Sequence, residues 1–288
     1  MQKSAGVLGA TIFVLLLVTI CIWTAVAQAS TGGKLTVTFL DVGQGDAIFI
    51  QSPSGAQMLI DGGKNRAVIR ELSRVMPWFD RSIDVVIGTH PDADHIGGLP
   101  DVLKRYRVGM IVQSSVLDPG GADAAALASA AEQEVKDGAV LLTGERGQVI
   151  DLGDGAYFEI LFPDRDVPNL ETNTGAIDGR LVYGDTSFML TSDSPKNIEE
   201  YLVKLDGDNL KSTVLKVGHH GSRTSSSLQF VGFVSPEYAV FSRGCDNSYG
   251  HPHEEVVATM AKLGIPTFDT CKDGSVTFIS DGKTVTRR

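Results

Sequence analysis

From Lys34 onward the chain alternates short apolar runs with Gly, Asp, Asn and Pro, the punctuation of a strand-rich domain. Residues 35–40, 47–51, 57–60 and 83–88 read as strands, with helical periodicity over 65–76 between the last two. A further helix is expected around 99–106, a strand at 110–113, and an Ala-rich helix at 122–136 opened by Asp118-Pro-Gly-Gly121. The second half repeats this style. Strands are expected at 156–162, 179–183, 187–191, 213–217, 238–242 and 276–279, with helices around 198–205, 227–231 and 254–263. Such alternation fits two sheets packed together with helices outside better than a barrel or a Rossmann sheet.

The N-terminus departs from this pattern. Residues 5–27 contain no charged side chain and 12–23 are almost continuously apolar, which is long enough to span a bilayer. Lys3 supplies a short positive flank, while Ala25-Val-Ala27-Gln-Ala29-Ser30 has the small residues of a signal-peptidase site. Residues 1–33 are therefore expected to be a transmembrane anchor, or a cleaved signal peptide, plus a short linker. Residues 34–288 would form one catalytic domain outside the cytoplasm, anchored to the cell membrane or secreted.

The formal net charge is −10. Such an acidic body does not wrap nucleic acid by bulk electrostatics, so a polyanionic substrate needs local help from metal ions or a basic rim. Of three cysteines, Cys21 sits in the apolar segment; Cys245 and Cys271 could pair in an oxidising compartment or remain free.

Thr89-His-Pro-Asp-Ala-Asp-His-Ile-Gly-Gly98 carries most of the functional information. His90, Asp92, Asp94 and His95 place four metal-competent side chains within six residues, directly after the buried strand at 83–88. A plain turn is a poor explanation for two histidines and two aspartates at that spacing. Asp193 closes the strand-like run Phe188-Met-Leu-Thr-Ser-Asp193, where it could bridge two cations or cap the next helix. The run 213–217 delivers His219 and His220 in the same manner. Asp41-Val-Gly-Gln-Gly-Asp46 and Ile60-Asp-Gly-Gly63 have more carboxylate and amide than tight turns require. Asn247-Ser-Tyr-Gly-His-Pro-His253 holds the last two of six histidines; His251 is a candidate proton donor and His253 a first-turn helix residue. Confinement of all six histidines to three clusters indicates one site assembled from distant segments.

These segments together resemble the metallo-β-lactamase superfamily, and more narrowly the soluble C-terminal domain of ComEC-type DNA-uptake proteins. The resemblance rests on Phe39–Asp46, Ile60–Gly63, Thr89–Gly98, Leu190–Asp193, Leu215–Ser222 and Asn247–Pro252, six motifs in order across almost all of the chain after Leu35. It implies a four-layer αββα sandwich with a dinuclear site between the sheet edges. His90 and Asp92 would hold one divalent ion, Asp94, His95 and His220 the other, and Asp193 would bridge them. Asp94, His251, Asp46 and Gln44 are the expected catalytic group; Asp41, His219, Ser222 and Arg223 are the expected substrate contacts. Lys216, Arg223 and the hydroxyls of 224–227 could supply a local phosphate grip or be ordinary surface. Three departures matter. Asp92 stands where the superfamily has a second histidine, no histidine lies between His95 and His219, and Ser192 replaces the usual glycine before the bridging aspartate. Fewer nitrogen and more carboxylate ligands shift the preference toward Mn²⁺, relative to Zn²⁺. A single hydrophobic segment also cannot form a DNA-conducting pore, so any uptake channel would be a separate partner.

The expected activity is metal-dependent phosphodiester hydrolysis of DNA outside the cytoplasmic membrane. The rival readings are a hydrolase of small or cell-surface phosphoesters, and a non-catalytic metal-containing module that binds nucleic acid or a partner.

Overall fold

The computed structural model describes residues 2–29, 32–118 and 120–288, with side chains of the N-terminal helix described for residues 11–24. In chain order the elements are α1 (Gln2–Ala29), β1 (Leu35–Phe39), β2 (Ile48–Gln51), β3 (Gln57–Ile60), α2 (Ala67–Val75), β4 (Ser82–Gly88), α3 (Ala93–Ile96), α4 (Leu99–Arg105), β5 (Arg107–Gln113), α5 (Ala122–Lys136), β6 (Val140–Thr143), β7 (Val149–Asp151) and β8 (Ala156–Phe162). They continue with β9 (Asp178–Tyr183), β10 (Thr186–Leu190), α6 (Lys196–Asp206), β11 (Val214–Lys216), α7 (Leu228–Val234), β12 (Tyr238–Phe241), α8 (Glu254–Lys262), β13 (Thr267–Asp269), α9 (Thr270–Asp273), β14 (Val276–Ser280) and β15 (Val285–Arg287).

One sheet has eight strands in the order β15-β14-β1-β2-β3-β4-β5-β6, and the other seven, β13-β12-β11-β10-β9-β8-β7. The C-terminal alternation of β4 shows how they stack. Val85 and Ile87 enter the core between the sheets, while Ile83 and Val86 face the outer layer with Val68, Leu72, Leu99, Val102 and Leu127 from the helices. The central core includes Phe39, Phe158, Phe188 and Phe278, and a third cluster packs α6, α7 and α8 on the far face of the second sheet. The result is the αββα sandwich, with α1 preceding it.

Parallel pairing decides where chemistry can sit. β3 through β6 run parallel in the first sheet, and β10 through β13 in the second. The carboxyl ends of β3, β4, β10, β11 and β12 lead directly into Asp61, His90, Asp193, His220 and Arg243. An open α/β arrangement binds ligands outside those ends.

Among the described residues, no helix is long and apolar enough to cross a membrane. The stretch 5–27 behind the membrane expectation lies partly outside the described side chains, and the small-residue run 25–30 lies wholly outside them. Strands β6, β7, β13 and β15 are additions to the elements expected from the sequence.

Candidate metal centre

His90 leaves β4 into a wall of hydroxyls and carboxylates. Thr89 Oγ1 lies 2.7 Å from Asp61 Oδ2 and donates to it, and it then accepts from His90 Nδ1 at 3.0 Å and from Ser192 Oγ at 2.8 Å. His95, in α3, donates from Nδ1 to Asp61 Oδ2 at 2.8 Å, and His220 donates from Nδ1 to the Ser242 carbonyl at 2.8 Å. This network commits the Nδ1 side of each ring to the protein and turns all three Nε2 atoms inward. Those Nε2 atoms are buried and, among the described residues, have no hydrogen-bond partner. Unpartnered buried nitrogen is costly unless something else fills it.

The bare atoms converge. Asp193 Oδ2 lies 3.3 Å from His95 Nε2 and 3.4 Å from His220 Nε2, and His220 Nε2 lies 3.4 Å from Asp94 Oδ2. His90 Nε2 is 3.7 Å from Asp92 Oδ2. Four overlapping donor groups, His90-His95-Asp193, Asp94-His95-His220, Asp46-Asp193-His220 and Asp46-Asp61-His95, each hold their ligand atoms within 4.8 Å of one another. Five carboxylates (Asp46, Asp61, Asp92, Asp94, Asp193) here face a single ammonium, that of Lys216. Part of this carboxylate excess is met in the folded chain by His95 and His220, which are drawn toward their charged forms, and two divalent cations would answer it in their place. Orphaned imidazole nitrogens, a shared carboxylate and this surplus all fit divalent metal ions.

The electrostatics are polarised accordingly. Burial pushes His90 well below the ordinary imidazole range, and its neighbour His95 adds to that. Burial acts the same way on His95 and His220 but is overruled by Asp193, aided by Asp61 at His95 and by Asp46 at His220, so both rings lie well above that range. The two imidazoles and Asp193 form a tightly coupled set. Against its burial, Asp193 is held well below the carboxylate range by His220 and His95.

Local backbone geometry explains how the sequence reaches this arrangement. His219 and His220 occupy left-handed conformations, with φ of 48° and 54°, a strain retained where function over-determines it. Gly45 has φ of 123°, and a Cβ there would sit 2.0 Å from the Asp94 carbonyl, so only glycine lets the β1–β2 turn lie against the metal-binding loop. The adjacent Asp46 amide donates to that same carbonyl at 3.1 Å.

The remaining expected residues divide. His219 is partly exposed, with Nε2 3.4 Å from Asp193 Oδ2, while fully buried His220 points its bare nitrogen at both Asp94 and Asp193; the geometry favours His220 as the ligand. Asp46 contacts His95 and His220 from behind. Gln44 accepts from the Gly244 amide at 3.2 Å and has its own Nε2 buried without a partner. His251 has a buried, unpartnered Nδ1, lies over Tyr249 at 5.5 Å, and is held by Asn247, which bonds both its amide and its carbonyl. Burial and the three imidazoles around it push His251 down to about 4, so at neutral pH its ring is uncharged and acts through N–H or lone pair. Arg223 stays on the exposed rim, 3.9 Å from Glu255. Asp41 and Ser222 are not drawn into the cluster: Asp41 closes its own turn on the Gly43 amide, and the buried Ser222 hydroxyl accepts from Thr224.

Lys216 corrects the sequence reading. It is 1% exposed, paired to Asp46 beneath the histidines, and donates to the Ser192 carbonyl at 3.3 Å, so it cannot grip a substrate phosphate. Asp61, Thr89 and Ser192 were not assigned as site residues from sequence; the Asp-Gly-Gly motif was the signal for the first. Cys245 and Cys271 form a disulfide that ties the loop carrying His251 to α9.

Fold and donor set together define a metal-dependent hydrolase fold, and the chain belongs to the metallo-β-lactamase superfamily, whose family model matches residues 40–244. Among curated proteins it is similar to ComE operon protein 3 of Bacillus subtilis (strain 168), 29% identical over 84% of this chain, and to Competence protein ComA of Neisseria gonorrhoeae, 32% identical over 87%. Those matches cover 32% and 33% of the two relatives, so the chain spans about a third of their length. Among solved structures it shares its fold with CmlA, a diiron β-hydroxylase from Streptomyces venezuelae (TM-score 0.56, 14% identity, covering 88% of this chain and 54% of that one). Igni18, a metallo hydrolase from the archaeon Ignicoccus hospitalis, gives a TM-score of 0.51 at 13% identity, covering 84% of this chain and 98% of that one.

Proposed function

We propose that this chain is a phosphodiesterase that hydrolyses DNA with two divalent cations, Mn²⁺ in preference to Zn²⁺, outside the cytoplasmic membrane. The observation that carries the hydrolytic reading is the convergence of three bare imidazole nitrogens on Asp193 beside Asp94. A closed structural site would hold one ion with every donor committed to it, whereas here Asp193 contacts both His95 and His220 and belongs to two overlapping donor groups. His90 and Asp92 would hold one ion, Asp94, His95 and His220 the other, and Asp193 both. Bound there, the cations supply Lewis acidity toward water and toward the non-bridging phosphoryl oxygens.

The chain's own residues do the rest. Asp61, Thr89 and the Ser242 carbonyl fix the tautomers that aim each Nε2 inward. Lys216 holds Asp46 against the backs of His95 and His220, so neither ring can swing away. His251, uncharged and clamped by Asn247, offers its ring to the leaving oxygen at the mouth of the site. Fold alone does not choose the chemistry, since a diiron hydroxylase shares it; these side chains do.

DNA as substrate is supported by the similarity to two competence proteins, and a separate uptake-channel protein is the proposed partner. The extracytoplasmic location is supported by the Cys245–Cys271 disulfide and by the exposed apolar side chains of α1, among them Phe13, Leu16 and Trp23, which suit attachment to a membrane. The test is degradation of end-labelled single-stranded DNA by the full chain with Mn²⁺, with Zn²⁺ and with chelator. Cleavage is expected to require metal, and Asp94→Ala is expected to lower it by at least about 10³-fold while the fold persists. Full activity in that variant would remove the site assignment.

A further inference from the structure

Beside the metal centre lies a cavity of about 520 Å³ whose lining includes His90 but none of the other proposed metal ligands. His90 and Pro91 form its inner wall, so it opens directly onto the metal-binding loop. Its volume falls in the range of pockets that enclose a small organic group. The body of the cavity is apolar, built from Ile96, Val116 and Leu127 and from the alanines that α5 turns toward it. At the carboxyl end of β5 it changes character. Ser114 donates its hydroxyl to the Gly175 carbonyl, but the Gln113 side-chain amide, half-buried, has no hydrogen-bond partner among the described residues. The Gln113 amide thus brings an acceptor and two donors, and Asp118 a carboxylate, to an otherwise apolar lining.

We infer that this cavity receives one unpaired nucleobase of the substrate, the base on the nucleotide adjoining the scissile phosphate. The inference rests on the proposed phosphodiesterase reading and adds the substrate form. An alkyl chain would fill the apolar body but leave the Gln113 amide unanswered, which is costly for a half-buried polar group. A sugar would bury hydroxyls against alanine and leucine. A heterocyclic base matches both regions, with two apolar faces for the walls and a polar edge for the amide, the pairing that Gln makes with base edges elsewhere. Continuity with His90 sets the distance, since a base entering here stays attached to a phosphate at the metal loop. A base inside a duplex is stacked and paired and cannot enter without being flipped out, at a cost of a few kcal/mol. The enzyme is thereby a single-strand reader through its own pocket, without requiring a basic surface.

Binding separates this inference from the hydrolytic one. Fluorescence anisotropy of labelled trithymidylate, and of its abasic analogue with the same three phosphates, is measured on the full chain in Ca²⁺. Wild type is expected to bind the base-bearing probe about tenfold more tightly, the effect of burying one small apolar ring. Ala125→Phe, on the solvent-accessible side of α5 where it fills the slot without disturbing the core, is expected to bring the ratio to within about twofold, and Gln113→Leu to lower it several-fold. Equal affinity of wild type for both probes, or a ratio unchanged in folded Ala125→Phe, would overturn the base pocket even if the chain cleaves DNA. Base discrimination without any metal-dependent cleavage would instead keep the pocket and remove the phosphodiesterase reading.

Discussion

Replacing Lys216 by Met tests whether a buried ammonium keeps the metal ligands in place before any metal arrives. In the folded chain Lys216 Nζ pairs with Asp46 and lies 4.0 Å from Asp193 Oδ1, and Asp46 backs both His95 and His220. One unit pair at 4 Å is worth about 4 kcal/mol of Coulomb energy at an effective dielectric constant near 20. Desolvation of the ammonium offsets much of this, but removing one partner from a buried pair leaves the other charge stranded and costs about 3–5 kcal/mol. In a domain of this size each kcal/mol moves the melting temperature by roughly 2–4 °C, so Lys216→Met should melt about 10 °C below wild type in chelator. Divalent cations answer the same excess of carboxylate charge, and adding Mn²⁺ should therefore narrow the gap to less than half. The assay is thermal unfolding by circular dichroism with and without metal. A gap below about 3 °C in chelator, or one that widens when Mn²⁺ is added, would refute the reasoning.

Three further outcomes follow from the same coordinates. Gly45→Ala places a Cβ 2.0 Å from the Asp94 carbonyl at a φ of 123°, so metal affinity measured by titration should fall at least about tenfold, more than stability does; unchanged affinity would mean the turn does not position Asp94. Asp178 is raised to about 7 by burial, so the stability it contributes is complete below the unfolded carboxyl value near 4 and is lost as pH rises toward 7. Asp178→Asn, which stays neutral and keeps an acceptor for the Ser192 amide, should therefore gain about 3 kcal/mol on wild type between pH 5 and pH 8 in metal-free urea titrations, and a difference independent of pH would exclude a protonated Asp178. Removing the Cys245–Cys271 bridge, which closes a 26-residue separation, should cost about 3–4 kcal/mol and loosen the loop carrying His251; proteolysis within 244–253 should accelerate in the double Ala variant, and an unchanged cleavage rate would argue against that tether.

The sandwich was legible because its central strands are continuous apolar runs that end on chemistry, as in 83–88 followed by His90 or 213–217 followed by His219 and His220. Edge strands were not. β7, β13 and β15 have three residues each, too few to display a period, and β6 is four residues exposed throughout. The ligand set could be read because His and Asp at strand ends have few other uses. Lys216 could not, since lysine is almost never fully buried unless paired, and its partner Asp46 arrives from a turn on the opposite sheet. Thr89 and Ser192 were hidden for the same reason, and Asp61 was only hinted at by its motif, because the hydrogen bonds that make them matter join residues as much as 103 positions apart. Asp41 and Ser222 look like site residues by motif, yet the backbone nearby claims their oxygens first.

Two adjacent cations sharing Asp193 are the core of the proposed chemistry. Electron paramagnetic resonance of the full chain titrated with Mn²⁺ measures both number and proximity. The expected result is two Mn²⁺ per chain with an exchange-coupled spectrum, reduced to an uncoupled signal of one ion or fewer in Asp193→Ala. A single isolated Mn²⁺ in wild type, or a coupled pair that survives Asp193→Ala, would contradict it.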